Sequence, residues 1–265
     1  FQRIDTWVND AGGSSYGFAT EMPIEDMRRI FETDFWGTVY GSLTAIPHLA
    51  KENGTLINIG SVVSDKAVPM QAAYSAAKHA VRGFTDALRM ELASRAETAG
   101  IHVSLIKPAG IDTPFFQHAA NHMDKEPNPT PQVYAPEGVA EAILACAERP
   151  RRELAVGGGG RAPMVFGQLA PALFDYLLGP RLTTMQKRER PANPRTQALH
   201  RASDRAEASQ GPRVHGNHPG MVRTTSYYTQ AIIHPKTSMA TVALVGAGLA
   251  LGATALWRAS TAESP

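Results

Sequence analysis

Residues 55–93 read TLINIGSVVSDKAVPMQAAYSAAKHAVRGFTDALRMELA. The opening TLINI is a nearly continuous apolar run, the pattern of a strand covered on both faces, and Gly60 and Ser61 close it. From Ala72 onward alanine, lysine and leucine dominate, and these favour helix. Val81, Phe84, Leu88 and Leu92 then recur at spacings of three and four and give one buried stripe. A covered strand followed by a long amphipathic helix is half of a strand–helix–strand unit. The same alternation runs outward in both directions. Residues 4–8, 101–106 and, more weakly, 153–156 read as further strands. Helical patterns fill 24–49 (broken near Asp34), 72–96 and 137–148, the last opened by Pro136. The fold class expected is α/β, a parallel sheet flanked by helices on both sides. In such sheets ligands collect beyond the carboxyl ends of the strands. Residues 9–12, Ser61 and residues 108–113 all follow strands, so they converge on one rim.

Tyr74 and Lys78 stand one helical turn apart on a shared face. Taken alone, such a pair is ordinarily a surface contact. With Ser61 thirteen positions earlier at a strand end, a sharper reading opens. A neighbouring ammonium stabilises a phenolate, so Tyr74 is expected to have a lowered pKa and to give up its proton readily. A serine hydroxyl can hold the same substrate oxygen as charge develops there. The combination suits reversible hydride transfer at a carbonyl carbon. It suits serine hydrolysis poorly, because no suitable histidine partner for a nucleophilic serine is evident.

The bulk properties exclude several classes. The chain has 265 residues and a formal charge of +2 with no basic cluster interleaved with aromatics, so nucleic acid is not an expected partner. The single cysteine, Cys146, excludes an internal disulfide framework and reads as a small buried hydrophobe. Nine histidines are scattered; His118 and His122, and His215 and His218, are close in sequence but lack an evident third ligand, so no metal is expected.

Past Gly157 the character changes. GGGGR reads as a flexible connector. Residues 161–186 form an apolar segment that caps a substrate cleft or lies on a bilayer, and 187–233 read as a disordered linker rich in proline, glycine and arginine. Residues 238–257, SMATVALVGAGLALGATALW, carry no charge and are long enough to cross a bilayer as a helix. A transmembrane anchor over 234–258 is therefore expected, with the catalytic domain on the cytoplasmic side because Arg223 and Lys236 flank the span. A buried terminal helix is the competing reading. Small residues in the span leave room for a homo-oligomer.

These motifs carry a resemblance. Ser61, Tyr74 and Lys78 resemble the serine, tyrosine and lysine of the classical short-chain dehydrogenase/reductase family. NDAG at residues 9–12 is similar to that family's asparagine-asparagine-alanine-glycine segment, and PAGIDTP at 108–114 to its proline-glycine loop. The resemblance covers about residues 1–160 and implies a Rossmann-type fold and NAD or NADP as cofactor. It implies Tyr74 as general acid/base, Lys78 as the residue that binds the nicotinamide ribose and tunes the tyrosine, and Ser61 as the substrate-positioning residue. Asn9, Ala11, Gly12, Pro108, Gly110, Ile111 and Thr113 are then cofactor-binding, with Tyr74 and Lys78. Where the family places an asparagine that supports a proton-relay water, this chain has Asp34, which adds a charge near Lys78 and cannot donate when ionised.

The chain opens on FQRIDTWVNDAGG, with no glycine-rich turn ahead of the first strand. The expectation is an N-terminally truncated Rossmann domain at residues 1–160 whose first βαβ portion is missing. The latter part also resembles a bacterial subgroup with a basic, proline-rich tail and a terminal hydrophobic helix. Phe115, Phe116 and residues 164–178 are expected on the substrate side, favouring a hydrophobic alcohol or ketone. Two alternatives stay open at this point. One is a binding or scaffold protein derived from the same fold, or an inactive fragment; the other is sugar-nucleotide epimerisation or dehydration.

Overall fold

The computed structural model describes residues 2–130, 132–193, 197–201 and 213–235. Four parallel strands form the central sheet: β1 (Thr6–Asn9), β3 (Thr55–Ile59), β4 (His102–Pro108) and β9 (Glu153–Val156), in that spatial order. All five residues of β3 are buried, as a strand covered on two faces requires. Leu56 faces one layer, where it packs with Ala45, Leu49, Leu88 and Val103. Ile57 and Ile59 face the other, with Ile106, Ala142, Cys146 and Leu154. The period-2 alternation of side chains thus splits one apolar run between two helical layers.

Those layers come from α1 (Ile24–Ile30), a π-helical segment (Phe31–Trp36), α2 (Gly37–Glu52), α3 (Ala72–Ala93) and α5 (Glu137–Glu148). The helix break expected near Asp34 is the π-helical segment itself, within which Asp34 is fully buried. Cys146 is fully buried, and burial pushes its thiol pKa up, as for a packed hydrophobe.

Three expectations need correction. First, a βαβ unit is present at the start of the described sheet, where one was expected to be missing. β1, the α1–α2 crossover and β3 make an intact βαβ unit, paired in parallel from Thr6↔Thr55 to Asn9↔Asn58. The short TWVN strand is followed by a helical crossover long enough to return the chain parallel, so truncation of that unit is set aside. Second, no helix among the described residues is long and apolar enough to cross a membrane. Residues 238–257 lie outside the described residues, and the anchor, the membrane partner and the localisation built on it are withdrawn. Third, the glycine run is not a loose connector. It opens α6 (Gly158–Leu169), which is followed by α7 (Pro171–Met185). Gly157 adopts φ +96°, a left-handed conformation that disfavours a side chain. A Cβ on Gly160 would come within 2.6 Å of Ala109 Cβ, so close approach explains the composition.

Short strands finish the rim. β2 (Ser15–Tyr16) pairs with β6 (Ala120–Asn121); β5 (Gly110–Ile111) and β11 (Val222–Arg223) flank β8 (Val133–Tyr134); β7 (Lys125–Pro127) pairs with β10 (Lys187–Pro191). A short helix α4 (Phe115–His118) lies between β5 and β6, and α8 (Tyr227–Ile233) sends Ile233 into the core. Parts of the basic stretch after residue 186 are therefore packed. Leu199 joins Met22, Ile30, Ala73 and Ala77, and His200 Nε2 meets Asp26 Oδ1 at 2.6 Å. Composition reads such a segment as linker because its anchoring residues are isolated and have no period.

Candidate functional site

A cavity of about 460 Å³ opens beyond the carboxyl ends of β1, β3 and β4. Asp10 and Gly12 reach it from the turn after β1, Ser61 from the end of β3, Tyr74 and Lys78 from the first turns of α3, and residues 108–111 and Thr113 from the loop after β4. Strand ends and a helix start converge there because the parallel sheet points all its carboxyl ends the same way.

Ser61 caps a short 3-10 turn: its Oγ accepts from Val63 N at 3.3 Å and makes only a long 3.5 Å contact to Pro108 O. Its hydroxyl proton is thus weakly held. Tyr74 is 9% exposed, and its ring packs against Phe115 at 5.6 Å between centroids. Lys78 Nζ is buried; it donates to Ile59 O at 3.1 Å, lies 3.5 Å from Asp34 Oδ2 and stands 5.7 Å from the Tyr74 ring centre. Asp34 does not line the cavity. It holds the site from behind, accepting from Gly13 N at 2.7 Å through Oδ1. Its own carbonyl accepts from Thr38 Oγ1 at 2.7 Å, which ties the π-helical segment to the first turn of α2.

The electrostatics correct one expectation. The Tyr74 pKa is raised, not lowered. Burial is the largest cause; the Lys78 ammonium lowers it, but the Asp34 carboxylate raises it again, and Ser61 opposes with a smaller effect. Burial also raises Asp34, against Lys78 and the Gly13 N–H. For Lys78, burial pulls the ammonium down, yet Asp34 and Tyr74 outweigh it and hold the pKa up. The cation inferred from the tyrosine–lysine spacing is present, but an anion behind it blunts its effect.

A pH prediction follows from these signs. Asp34→Asn removes the charge that raises Tyr74, so the tyrosine pKa falls. In alcohol oxidation the phenolate is the base, and the rate climbs as pH passes through that pKa. The rising limb of kcat/KM should therefore move to lower pH in Asp34→Asn. Superimposable pH–rate profiles for the two proteins would place Asp34 outside the proton path.

The remaining sequence-derived residues divide in two. Pro108, Gly110, Ile111, Thr113 and Gly12 line the cavity. Asn9 and Ala11 do not. Asn9 is instead a structural tie: its Oδ1 accepts from Trp7 Nε1 at 2.8 Å, and its Nδ2 donates to Asn58 Oδ1 at 2.8 Å and to Ser42 Oγ at 3.0 Å, locking β1 to β3 and α2. Sequence reasoning passed over Tyr16 and Gln71, which also line the cavity, and Asp65, which anchors the turn after Ser61. Gln71 had a signal, as the polar residue that opens α3; Tyr16 had none.

The donor set fits the nicotinamide half of a dinucleotide. An ammonium carries three donors. Among the described residues, Lys78 Nζ meets one carbonyl and one carboxylate, which leaves a donor for a ribose hydroxyl. Tyr74, Ser61 and Thr113 add hydroxyls around the same space, and Gly12 admits a ligand close to Lys78.

Comparison with known proteins adds a family. Residues 1–124 match the family model described as short chain dehydrogenase. An uncharacterized oxidoreductase, YxnA of Bacillus subtilis (strain 168), is 42% identical over 247 residues, covering 92% of this chain and 67% of the relative. The fold resembles that of acetoin dehydrogenase YohF from Salmonella typhimurium, with a TM-score of 0.50 and 29% identity over 60% of this chain and 66% of that one. It also resembles a short-chain dehydrogenase from Streptomyces avermitilis, with a TM-score of 0.54 and 25% identity over 69% of this chain and 70% of that one. The chain thus spans about two thirds of the length of these relatives.

Proposed function

The chain belongs to the short chain dehydrogenase family, and from that premise we propose that it transfers a hydride between NAD or NADP and an uncharged alcohol or ketone at the Ser61–Tyr74–Lys78 site. The observation that carries this reading is the meeting of those three side chains on one cavity, with a buried ammonium beside the phenol. In this reading residues 1–160 are the catalytic unit.

The nicotinamide ring, when bound, supplies or accepts the hydride. The chain does the rest. In reduction Tyr74 gives its proton to the substrate oxygen; in oxidation its phenolate takes the proton back. Ser61 Oγ, weakly engaged by Pro108 O, turns its proton to the same oxygen and supports the negative charge that grows there. Lys78 would hold the ribose, and it stabilises the phenolate. Gly12, Pro108, Gly110, Ile111 and Thr113 would form walls for the cofactor, and Asp34 keeps Lys78 charged.

Substrate charge follows from the wall. Among the described residues, no basic side chain other than Lys78 lines the cavity, while Asp10 contributes a carboxylate. A substrate carboxylate or phosphate would enter without a partner, which is costly in a dry site. With the protein as its gene encodes it, uncharged ketones should be reduced with NADH or NADPH in clear preference to keto acids of similar size. Lys78→Ala should weaken cofactor binding about tenfold to a hundredfold, the scale of one hydrogen bond to a charged group, and lower kcat as well. Preferred turnover of keto acids, or unchanged cofactor affinity in Lys78→Ala, would overturn the assignment.

A further inference from the structure

Tyr16 is the second phenol of the cavity, and the chemistry proposed above does not use it. It is 1% exposed yet lines the same space as Tyr74. Its backbone is fixed from two sides: β2 pairs with β6, Tyr16 O accepts from His122 N at 2.8 Å, and Gly17 N donates to Met70 O at 3.0 Å. Its ring lies 6.3 Å from Phe116, which meets Phe115 edge-on at 5.5 Å, and Phe115 meets Tyr74 at 5.6 Å. The two phenols are the ends of one aromatic wall.

The hydroxyl of Tyr16 lacks a settled partner. Ser14 Oγ is near enough to favour the ionised phenol, yet it reaches hydrogen-bond geometry with no group and is itself buried. Burial pushes the Tyr16 pKa well above the usual range; Tyr74 acts in the same direction and Ser14 opposes. Tyr16 therefore stays protonated and is a donor across the working range of pH. A buried phenol ordinarily finds an acceptor, and leaving a donor without one costs about 1–3 kcal/mol.

We propose that Tyr16 determines specificity by donating to a second oxygen of the substrate while Ser61 and Tyr74 hold the reacting one. The substrate class is then an uncharged hydroxy ketone, diketone or diol whose second oxygen lies within a few bonds of the reacting carbon. This rests on the reading of Ser61, Tyr74 and Lys78 as the reacting centre. The group that meets the Tyr16 proton must be an acceptor, hence an oxygen and not an ammonium, which carries donors alone.

Two probes that differ by one hydroxyl test it: 2-hydroxyacetophenone and acetophenone, reduced by the wild type, Tyr16→Phe and Tyr74→Phe. The wild type should favour the hydroxy ketone by about tenfold in kcat/KM, the scale of one buried hydrogen bond left unmade. Tyr16→Phe keeps the ring against Phe116 and should erase that ratio, chiefly through KM. Equal use of both ketones by the wild type, an equal loss of both in Tyr16→Phe, or reduction of neither would overturn the proposal. Tyr74→Phe separates the two readings. If it still reduces acetophenone, the reacting centre has been misassigned; if it reduces neither while the wild type shows no preference, only the role of Tyr16 falls.

Discussion

Tyr74→Phe should lower kcat for ketone reduction by at least about a hundredfold, the usual scale for a positioned acid or base, with little change in cofactor affinity. The asymmetry follows from the geometry. The Tyr74 ring is packed against Phe115 and belongs to the apolar cluster of Val62, Val63, Met164 and Phe174. Phenylalanine preserves that packing and deletes only the oxygen. Lys78, which is assigned to the ribose, keeps both its bond to Ile59 O and its ion pair with Asp34. The loss therefore falls on an interaction made in the transition state and shows in kcat rather than in binding. Steady-state kinetics together with cofactor titration, on the protein as its gene encodes it, separate the two. Near-normal turnover in Tyr74→Phe would remove the phenol from the mechanism, whatever the fold.

What the sequence made legible was whatever its periodicity encodes. TLINI and the Val81, Phe84, Leu88, Leu92 stripe show their buried faces directly, because burial repeats with the period of the element. Ser61, Tyr74 and Lys78 were legible for a related reason: the strand end and the helix start each carry them at a fixed offset. Tyr16 was not. Its two-residue strand pairs with Ala120 and Asn121, far along the chain, and a pair that short leaves no pattern. The sign of the Tyr74 shift was also out of reach. It depends on burial and on an anion one layer behind the lysine, neither of which is a spacing. The uncharged run at 238–257 suggested an anchor from composition alone; it lies outside the described residues, among which no helix is long and apolar enough to cross a membrane.

Asp65→Asn should destabilise the fold by about 3–5 kcal/mol, the cost of breaking a buried ion pair by removing one partner. Asp65 sits in the turn after Ser61, with its side chain fully buried. It accepts from Lys107 Nζ at 3.0 Å and from Arg82 Nη1 at 2.6 Å, and it pairs with Arg161. The backbone carbonyl of Asp65 also accepts from Gln168 Nε2 at 3.1 Å. One carboxylate therefore ties β4, α3 and α6 to the loop that carries Ser61. Lys107 is the critical partner: it is 1% exposed in the middle of the molecule, and its charge has no route to water. Glu153 remains beside it in the variant, so the loss should fall toward the lower end of the range. Asparagine matches the volume of aspartate, which excludes a cavity as the cause. The measurement is urea unfolding of wild type and variant, read as a fall in midpoint at unchanged slope. The same substitution should raise KM more than Lys66→Ala does, because Lys66 reaches outward to α7, where it meets the exposed Asp175 and the Phe174 ring, and does not tie the Ser61 turn to β4 and α3. Wild-type stability in Asp65→Asn would show that the three cations are held by Glu153 and solvent, and that the turn bearing Ser61 is positioned by its 3-10 cap alone.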